Sequence, residues 1–262
     1  MPIACSSSAL TGQSGSVYYT PAGTEFCLQD FTDFPAGDDI TVPAKNDFRV
    51  GDPVVFSIED GAKIDTALTA GTGYFVVART ATTIQVAASK GGTALAMNGD
   101  GGTGSADSPG HINISFDPYQ AVCDVSEFSI EISREELDTT TLPCGVGAGG
   151  GVIAAFRSTQ PGYASATGTL SVYFSDNSLS IGQRMLANVL RKDQSGARIR
   201  LFNNTVSDGA STPAPDLVNS SYIEGDITLT GVSLSVNPDD PQAAEISFSV
   251  QNISHLFTTS LV

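Results

Sequence analysis

Short runs in which apolar and polar residues alternate recur along the whole chain and predict β-strands. The clearest run is 245–250, where Ile246, Phe248 and Val250 alternate with serines. Successive side chains of a strand point to opposite faces, so this pattern predicts a half-buried strand of an antiparallel sheet. Similar runs, bounded by glycine, proline or polar turn residues, are 16–20, 25–28, 52–58, 73–79, 83–88, 94–97, 111–116, 121–125, 127–132, 167–174, 197–202, 223–230 and 232–236.

One segment, 180–192, has helical periodicity instead. Ser180 and Gln183 match a capping box, in which each side chain satisfies a free backbone N–H at the helix start. Arg191 and Lys192 would lie in the last turn, where positive charge opposes the helix dipole. The apolar stripe consists of Met185, Leu186, Val189 and Leu190. The fold class predicted is mainly β: an antiparallel β-sandwich or barrel with one flanking α-helix, plus a small inserted β domain.

The inserted domain is predicted over residues 41–117, because this stretch has its own series of short strands. It ends in a segment rich in Gly, Ser and Asp, 98–110, after which strand 111–116 returns the chain to the main body. Residues 1–40 and 118–262 are predicted to form that main body. A second glycine-rich stretch, 133–164, is predicted to be a long loop.

The charge balance argues against tight binding of nucleic acid. The net charge is −16, from 28 acidic and 12 basic residues, and no base precedes Lys45 or follows Arg200. An acidic surface of this kind repels phosphate within a Debye length of about 10 Å. Simple solubility is the alternative explanation of the charge.

The chain carries no recognisable catalytic, cofactor or metal motif. Histidine occurs only at positions 111 and 255, and no G-x-S-x-G sequence is present. The G-x-G-x-x-G match from Gly145 to Gly150 lacks the strand and helix that dinucleotide binding requires. The four cysteines, Cys5, Cys27, Cys123 and Cys144, have no zinc-site spacing; free thiols are expected, although an even count permits disulfides. No apolar run approaches the ~20 residues of a membrane span, so no membrane partner is expected.

One stretch resembles a known family. Within residues 125–142, an alternating strand ends near the basic residue Arg134 and is followed by Asp138-Thr139-Thr140 and a long loop. This stretch is similar to the signature region of the major tail tube proteins of tailed bacteriophages. The order of the following elements is also similar: a long loop, strand 167–174, a single helix, and closing strands that end at Ile253. The resemblance covers residues 1–40 and 118–262.

The resemblance implies a structural subunit. Such subunits form hexameric rings whose inner sheets join into a continuous β-barrel, and the rings stack into a tail tube. DNA would pass through an acidic lumen without specific binding. The implied partners are further copies of the chain, a tape measure protein in the lumen, baseplate and terminator proteins at the ends, and a sheath protein outside in tails that have one. The implied location is the virion tail, after assembly in the bacterial host cytoplasm.

The resemblance also implies an arm that contacts neighbouring subunits. This inter-subunit arm is expected in the long loop, and its candidate residues are Arg134, Glu135, Asp138, Thr139, Thr140, Leu142, Gly145, Gly147 and Gly150.

Three other classes of function stay open. Another phage structural protein, such as a head decoration or tail-terminator subunit, would share the composition. A surface adhesin or carbohydrate-binding module would place its activity in the insert, although the chain lacks the tryptophan that sugar-binding platforms commonly use. The chain is not expected to be an enzyme, since nothing in it indicates a substrate.

Overall fold

The structure is a computed structural model. It describes residues 15–28, 33–59, 61–100, 111–116, 120–123, 125–138, 159–173, 181–207, 215–235, 242–257 and 259–260.

The described residues form antiparallel strands and one helix. In chain order these are β1 (Ser16–Thr20), β2 (Glu25–Leu28), β3 (Ile40–Thr41), β4 (Pro53–Glu59), β5 (Gly73–Arg79), β6 (Thr83–Ala87), β7 (His111–Phe116), β8 (Gln120–Ala121), β9 (Val125–Asp138), β10 (Thr159–Tyr173), α1 (Ile181–Val189), β11 (Arg198–Asn204), β12 (Ser221–Ser235), β13 (Ala243–Phe257) and β14 (Thr259–Ser260). The predicted fold class, mainly β with antiparallel sheets and a single helix, is confirmed, and one sheet is curled into a half-barrel.

The strands belong to two sheets. An eight-stranded sheet has the order β8-β1-β11-β12-β13-β10-β9, with β14 paired to β13, and a six-stranded sheet has the order β2-β7-β4-β5-β6-β3. Each sheet has its own apolar core. Tyr19, Leu170 and Phe248 are central in the first core, and Phe56, Ile84 and Ile114 in the second. Strands β2 and β3 pair within the six-stranded sheet, and the division of the chain into domains at residues 40/41 and 117/118 stays a prediction.

A buried arginine joins the helix to the six-stranded sheet. The Arg184 side chain is 2 % exposed, and its Nη1 donates to both carboxylate oxygens of Asp52 at 2.8 Å. Its Nε donates to Asp47 Oδ2 at 3.1 Å, and its guanidinium lies 5.3 Å from the Phe116 ring centroid. Burial raises the pKa of Asp52, and the neighbouring Arg184 charge opposes that rise.

Several predicted elements differ from those in the structure, and the predicted strands 223–230 and 232–236 are one strand, β12. Residues 94–97 are not a strand, because Met97 pairs only in an isolated bridge with Gly37. The predicted loop 133–164 was too long: β9 continues to Asp138 and β10 begins at Thr159, since backbone pairing of two strands continues without alternating apolar residues.

The helix ends earlier than predicted, at Val189. The Arg191 N–H donates to Asn188 O, which is an i→i−3 turn and not a continued helix. The guanidinium of Arg191 donates instead to the carbonyls of Asp193 and Lys45, so it does not lie in the last helical turn. Ser180, the predicted cap, lies outside the described residues.

Candidate functional site: the polar face of the long strands

Four long strands lie side by side in the eight-stranded sheet, in the order β12-β13-β10-β9. Strand β9 has 14 residues and each of the others has 15. One side of the two central strands faces the core, where Leu170 and Ile246 are fully buried. Because alternate residues of a strand point to opposite faces, the side chains on the opposite side form a second surface, which is exposed to solvent.

This second surface consists of hydroxyl and carboxylate side chains, and we call it the polar face. Its members are exposed or half-exposed. They are Glu127, Ser129, Glu131 and Ser133 on β9, Ser165, Thr167, Thr169 and Ser171 on β10, Glu245, Ser247 and Ser249 on β13, and Thr228 and Ser233 on β12. No lysine or arginine belongs to this set.

The strand registers align the polar face in cross-strand rows. The rows are Glu127–Ser171–Glu245–Ser233, Ser129–Thr169–Ser247–Gly231 and Glu131–Thr167–Ser249–Thr228. Neighbouring hydroxyls bond across the strands, with Ser129 Oγ 2.9 Å from Thr169 Oγ1 and Ser133 Oγ 3.0 Å from Ser165 Oγ. The acidic rows are separated by a row of hydroxyls.

The carboxylates of the polar face are not neutralised within the chain as described. Glu127, Glu131 and Glu245 form no salt bridge there, whereas the bases on adjacent β11 are paired with other acids. Arg198 Nε lies 3.1 Å from Asp226 Oδ1, and Arg200 Nε lies 2.9 Å from Glu224 Oε2. The polar face is therefore a surface of uncompensated negative charge.

A groove of about 380 Å³ lies on this face, lined by Glu131, Thr167, Ser247 and their neighbours. Its lining offers hydrogen-bond donors and acceptors but no positive charge. Gly168 also borders the groove. A Cβ atom added at Gly168 would lie 2.4 Å from Phe248 Cζ and 2.6 Å from Ser129 O. Glycine here lets β9, β10 and β13 approach closely.

The described residues bring no metal-binding cluster together. No group of three His, Cys, Asp or Glu residues capable of holding a metal occurs among them. His255 stacks on Tyr222 with centroids 4.1 Å apart, and its Nε2 lies 2.7 Å from Phe257 O. Cys27 and Cys123 are free thiols, as predicted, while Cys5 and Cys144 lie outside the described residues. None of the helices described is long and apolar enough to cross a membrane.

The predicted arm residues fall into two groups. Arg134, Glu135 and Asp138 lie in β9 and are exposed, so their placement in a loop was wrong. Arg134 Nε donates to Gly162 O on β10 at 3.1 Å, next to a register shift between Pro161 and Ala164. The remaining candidates, Thr139, Thr140, Leu142, Gly145, Gly147 and Gly150, lie outside the described residues. The role of all nine in subunit contacts stays a prediction.

Sequence reasoning did not find the polar face as a unit. The outward serines of 245–250 were visible in the pattern, but the rows depend on which strands are neighbours. The two central strands, β10 and β13, come from distant parts of the chain. The sequence pattern that could have indicated the polar face is the recurrence of hydroxyl and acidic residues at every second position in 127–133, 165–171 and 245–249.

No protein-family model and no curated protein matches the chain. The solved structures that are similar to part of it include the following two. One is from the virion of a native gene transfer agent particle, with 14% sequence identity and a TM-score of 0.37, covering 54% of this chain and 89% of that chain. The other is from the tail of an empty particle of that kind with C6 symmetry, with 15% identity and a TM-score of 0.35, covering 54% and 87%. At TM-scores this low, these likenesses define neither the fold nor the function of this chain.

Proposed function

We propose that this chain is a non-enzymatic structural subunit of a bacteriophage tail. Copies of it assemble into hexameric rings, and the rings stack into a tail tube through which DNA leaves the capsid. The observation that carries the proposal is the polar face, a broad strand surface of hydroxyls and unpaired carboxylates. The resemblance of residues 125–142 to tail tube proteins supports it independently.

The polar face has the chemistry of a conduit wall for a polyanion. Proteins retain DNA by neutralising phosphates with lysine and arginine, which releases condensed counterions. The polar face contains neither residue, so no phosphate is neutralised and DNA is not retained. Its hydroxyls keep the surface hydrated, and Glu127, Glu131 and Glu245 repel the phosphate backbone.

Assembly would convert the rows of one chain into rings. A row such as Glu127–Ser171–Glu245–Ser233 runs across the strands, so copies placed side by side continue it around an axis. The lumen would then be lined by acidic rings alternating with hydroxyl rings. The tape measure protein and DNA would occupy this lumen in turn, and the subunit would reside in the virion tail after assembly in the host cytoplasm.

Electron microscopy of the purified protein tests the assembly. Negatively stained images are expected to show rings and stacked tubes with a central channel. Monomers alone, across a wide range of protein and salt concentrations, would contradict the proposal.

A charge reversal tests which surface faces the channel. In tubes of Glu127→Lys/Glu131→Lys, the channel wall gains cations, so added double-stranded DNA should enter, resist nuclease and be released by salt. The matched control is Glu59→Lys/Asp38→Lys, which changes two exposed acids outside the polar face by the same charge. Equal nuclease protection in both variants would show that the polar face does not line the channel.

A further inference from the structure

Three basic side chains lie around one turn at an end of the six-stranded sheet, and we call this group the basic corner. It consists of Arg49, Arg79 and Lys90. Arg49 begins the turn 49–52 that leads into β4, Arg79 is the last residue of β5, and Lys90 follows β6. Arg79 and Lys90 are exposed, and Arg49 is half-exposed.

Hydrogen bonds hold the turn 49–52 in one shape. The Asp52 N–H donates to Arg49 O at 3.0 Å, and the Arg49 N–H donates to Asp52 Oδ2 at 2.7 Å. Gly51 has a φ of 95°, which glycine adopts without a steric penalty. The turn is also tied to β5, since the Gly51 N–H donates to Val76 O at 2.7 Å and the Val76 N–H donates to Asp52 O at 2.9 Å. These bonds fix the position of the turn relative to β5.

Contacts with this turn bring the other two bases to it. The Arg79 guanidinium donates from Nη1 to Phe48 O, the carbonyl that precedes Arg49. The Lys90 side chain lies over Gly51, where its Cε is 3.4 Å from the position that a Cβ atom would occupy. The three positive charges therefore lie around a single turn, although they come from separate segments of the chain.

No acid among the described residues forms a salt bridge with the basic corner. The acid of the turn, Asp52, is paired with Arg184, whose Nη1 donates to both of its carboxylate oxygens. The described bases that form salt bridges are Lys45, Lys63, Arg184, Arg191, Arg198 and Arg200. Positive charge without an acidic partner is thus concentrated at one point of a chain whose net charge is −16.

This arrangement suits a compact anion with more than one charge. An arginine guanidinium offers a planar set of N–H donors that matches phosphate oxygens, and a lysine ammonium adds further donors. A phosphate monoester carries a charge of about −1.5 to −2 at pH 7, so several cations can share it. An extended polyanion such as DNA would reach past the corner to the acidic remainder of the surface, which repels it within about 10 Å.

We propose that the basic corner is a binding site for a phosphate group, either free phosphate or the phosphate of a small monoester. Arg49 and Arg79 bind its oxygens through their N–H groups, and Lys90 contributes the third positive charge. The site goes beyond the proposed function and requires no contact between copies of the chain, so it is tested separately from assembly.

Calorimetric titration of the protein measures this binding. Inorganic phosphate and glycerol 3-phosphate are each titrated at about pH 8, where the phosphate group is almost fully dianionic. We expect saturable binding of both, and this binding should weaken as salt is raised. Acetate, which carries a single charge, should bind about tenfold more weakly or less. Tighter binding of glycerol 3-phosphate would identify an ester as the ligand, and tighter binding of inorganic phosphate would identify the free ion.

Substitutions assign the binding to the corner. Arg79→Gln and Lys90→Gln should each weaken phosphate binding by about tenfold or more, because each removes a charge-assisted hydrogen bond. Arg79→Lys keeps the charge and should recover part of the affinity. Arg134→Gln is the matched control for Arg79→Gln, since Arg134 is also an exposed strand arginine that donates to a backbone carbonyl. Lys192→Gln is the control for Lys90→Gln, because Lys192 is likewise an exposed lysine outside the described salt bridges.

Both control variants should bind phosphate as the native protein does. Circular dichroism checks that each variant is folded. Lys90→Gln keeps the test decisive where Arg79→Gln disturbs the turn, because the Lys90 side chain is not the one that bonds to Phe48 O.

Three results would overturn the site. The first is the absence of saturable binding of either phosphate compound. The second is an equal loss of affinity in the corner variants and in their controls, which would mean that the attraction is not located at the corner. The third is tighter binding of a short DNA duplex than of glycerol 3-phosphate, which would mean that the surface accepts an extended polyanion. None of these results bears on the formation of rings and tubes, which electron microscopy measures.

Discussion

Arg184 is a permanently charged side chain that is almost completely buried. A buried charge is tolerated only when it is paired and hydrogen-bonded, and Asp52 and Asp47 supply both. On an amphipathic helix an arginine would ordinarily lie on the polar side and face solvent. Its partners come from the segment before β4, so the burial of this side chain depends on a tertiary contact that periodicity does not encode.

Replacement of Arg184 should destabilise the folded state, because it leaves the buried Asp52 carboxylate without its charged partner. We expect Arg184→Met to lower the free energy of unfolding at neutral pH by about 3 kcal/mol, because Asp52 loses the charge that opposes its desolvation. Urea denaturation measures this loss. Arg198→Met is the control, since Arg198 forms half-exposed pairs with Glu25 and Asp226 and should cost about 1 kcal/mol or less.

The same variant should show a defined pH dependence. Without Arg184 the pKa of Asp52 rises further above its unfolded value, so the folded state holds the proton more tightly than the unfolded state. Stability that depends on such a group is present at low pH and is lost as pH rises through the folded pKa. The deficit of Arg184→Met relative to the native protein should therefore be smaller at about pH 4 than at about pH 7. A deficit that grows on acidification would contradict this cause.

At the scale of elements, the strands with strong alternation were the ones the sequence predicted well. The runs 111–116 and 245–250 lie within strands whose inward residues are buried. The extension of β9 through Glu135 and Glu136 had no such pattern, and it exists because β10 lies beside it. Local pattern thus identifies strands that bury a face, whereas a strand exposed on both faces requires knowledge of its partner.

Gly168 is where three of the long strands depend on a missing side chain. A Cβ there would overlap the Phe248 ring and the Ser129 carbonyl, so Gly168→Ala should force β9 or Phe248 to move and destabilise the fold by about 2 kcal/mol. Gly231→Ala is the control on β12. Among the described residues, no neighbouring atom lies within 4 Å of a Cβ added at Gly231, so the free energy of unfolding should change by no more than about 0.5 kcal/mol. Thermal unfolding compares the two. Equal stability would mean that the three strands do not need the glycine.

At the scale of the whole molecule, the arrangement of the sheets could not be read from the sequence. The eight-stranded sheet joins β1, near the start of the described chain, to β11, and these strands lie far apart in sequence. The excess of acids was evident from composition, but composition does not say that unpaired acids collect on one face while the bases of β11 are paired. The proposed conduit function therefore depends on where the acidic residues lie in the fold, and not on how many there are.

Because the acids lie on one face, assembly is expected to be opposed by repulsion between the acids of neighbouring copies. When copies form a ring with the polar face inward, Glu127, Glu131 and Glu245 of neighbouring copies approach one another across a shared lumen. Added salt shortens the Debye length from ~30 Å at about 0.01 M to ~8 Å at about 0.15 M and so weakens this repulsion. The protein concentration needed for tube formation, measured by light scattering or sedimentation, should therefore fall as salt is raised over this range.

Neutral variants distinguish the polar face from the overall charge of the molecule. Glu131→Gln/Glu245→Gln should form tubes at lower salt than the native protein, because two carboxylates per subunit are removed from the lumen. The control Glu59→Gln/Asp38→Gln removes the same charge from exposed positions elsewhere and should retain most of the native salt dependence. Assembly that weakens on addition of salt, or equal behaviour of the two variants, would mean that the acids of the polar face do not face one another in the assembled state.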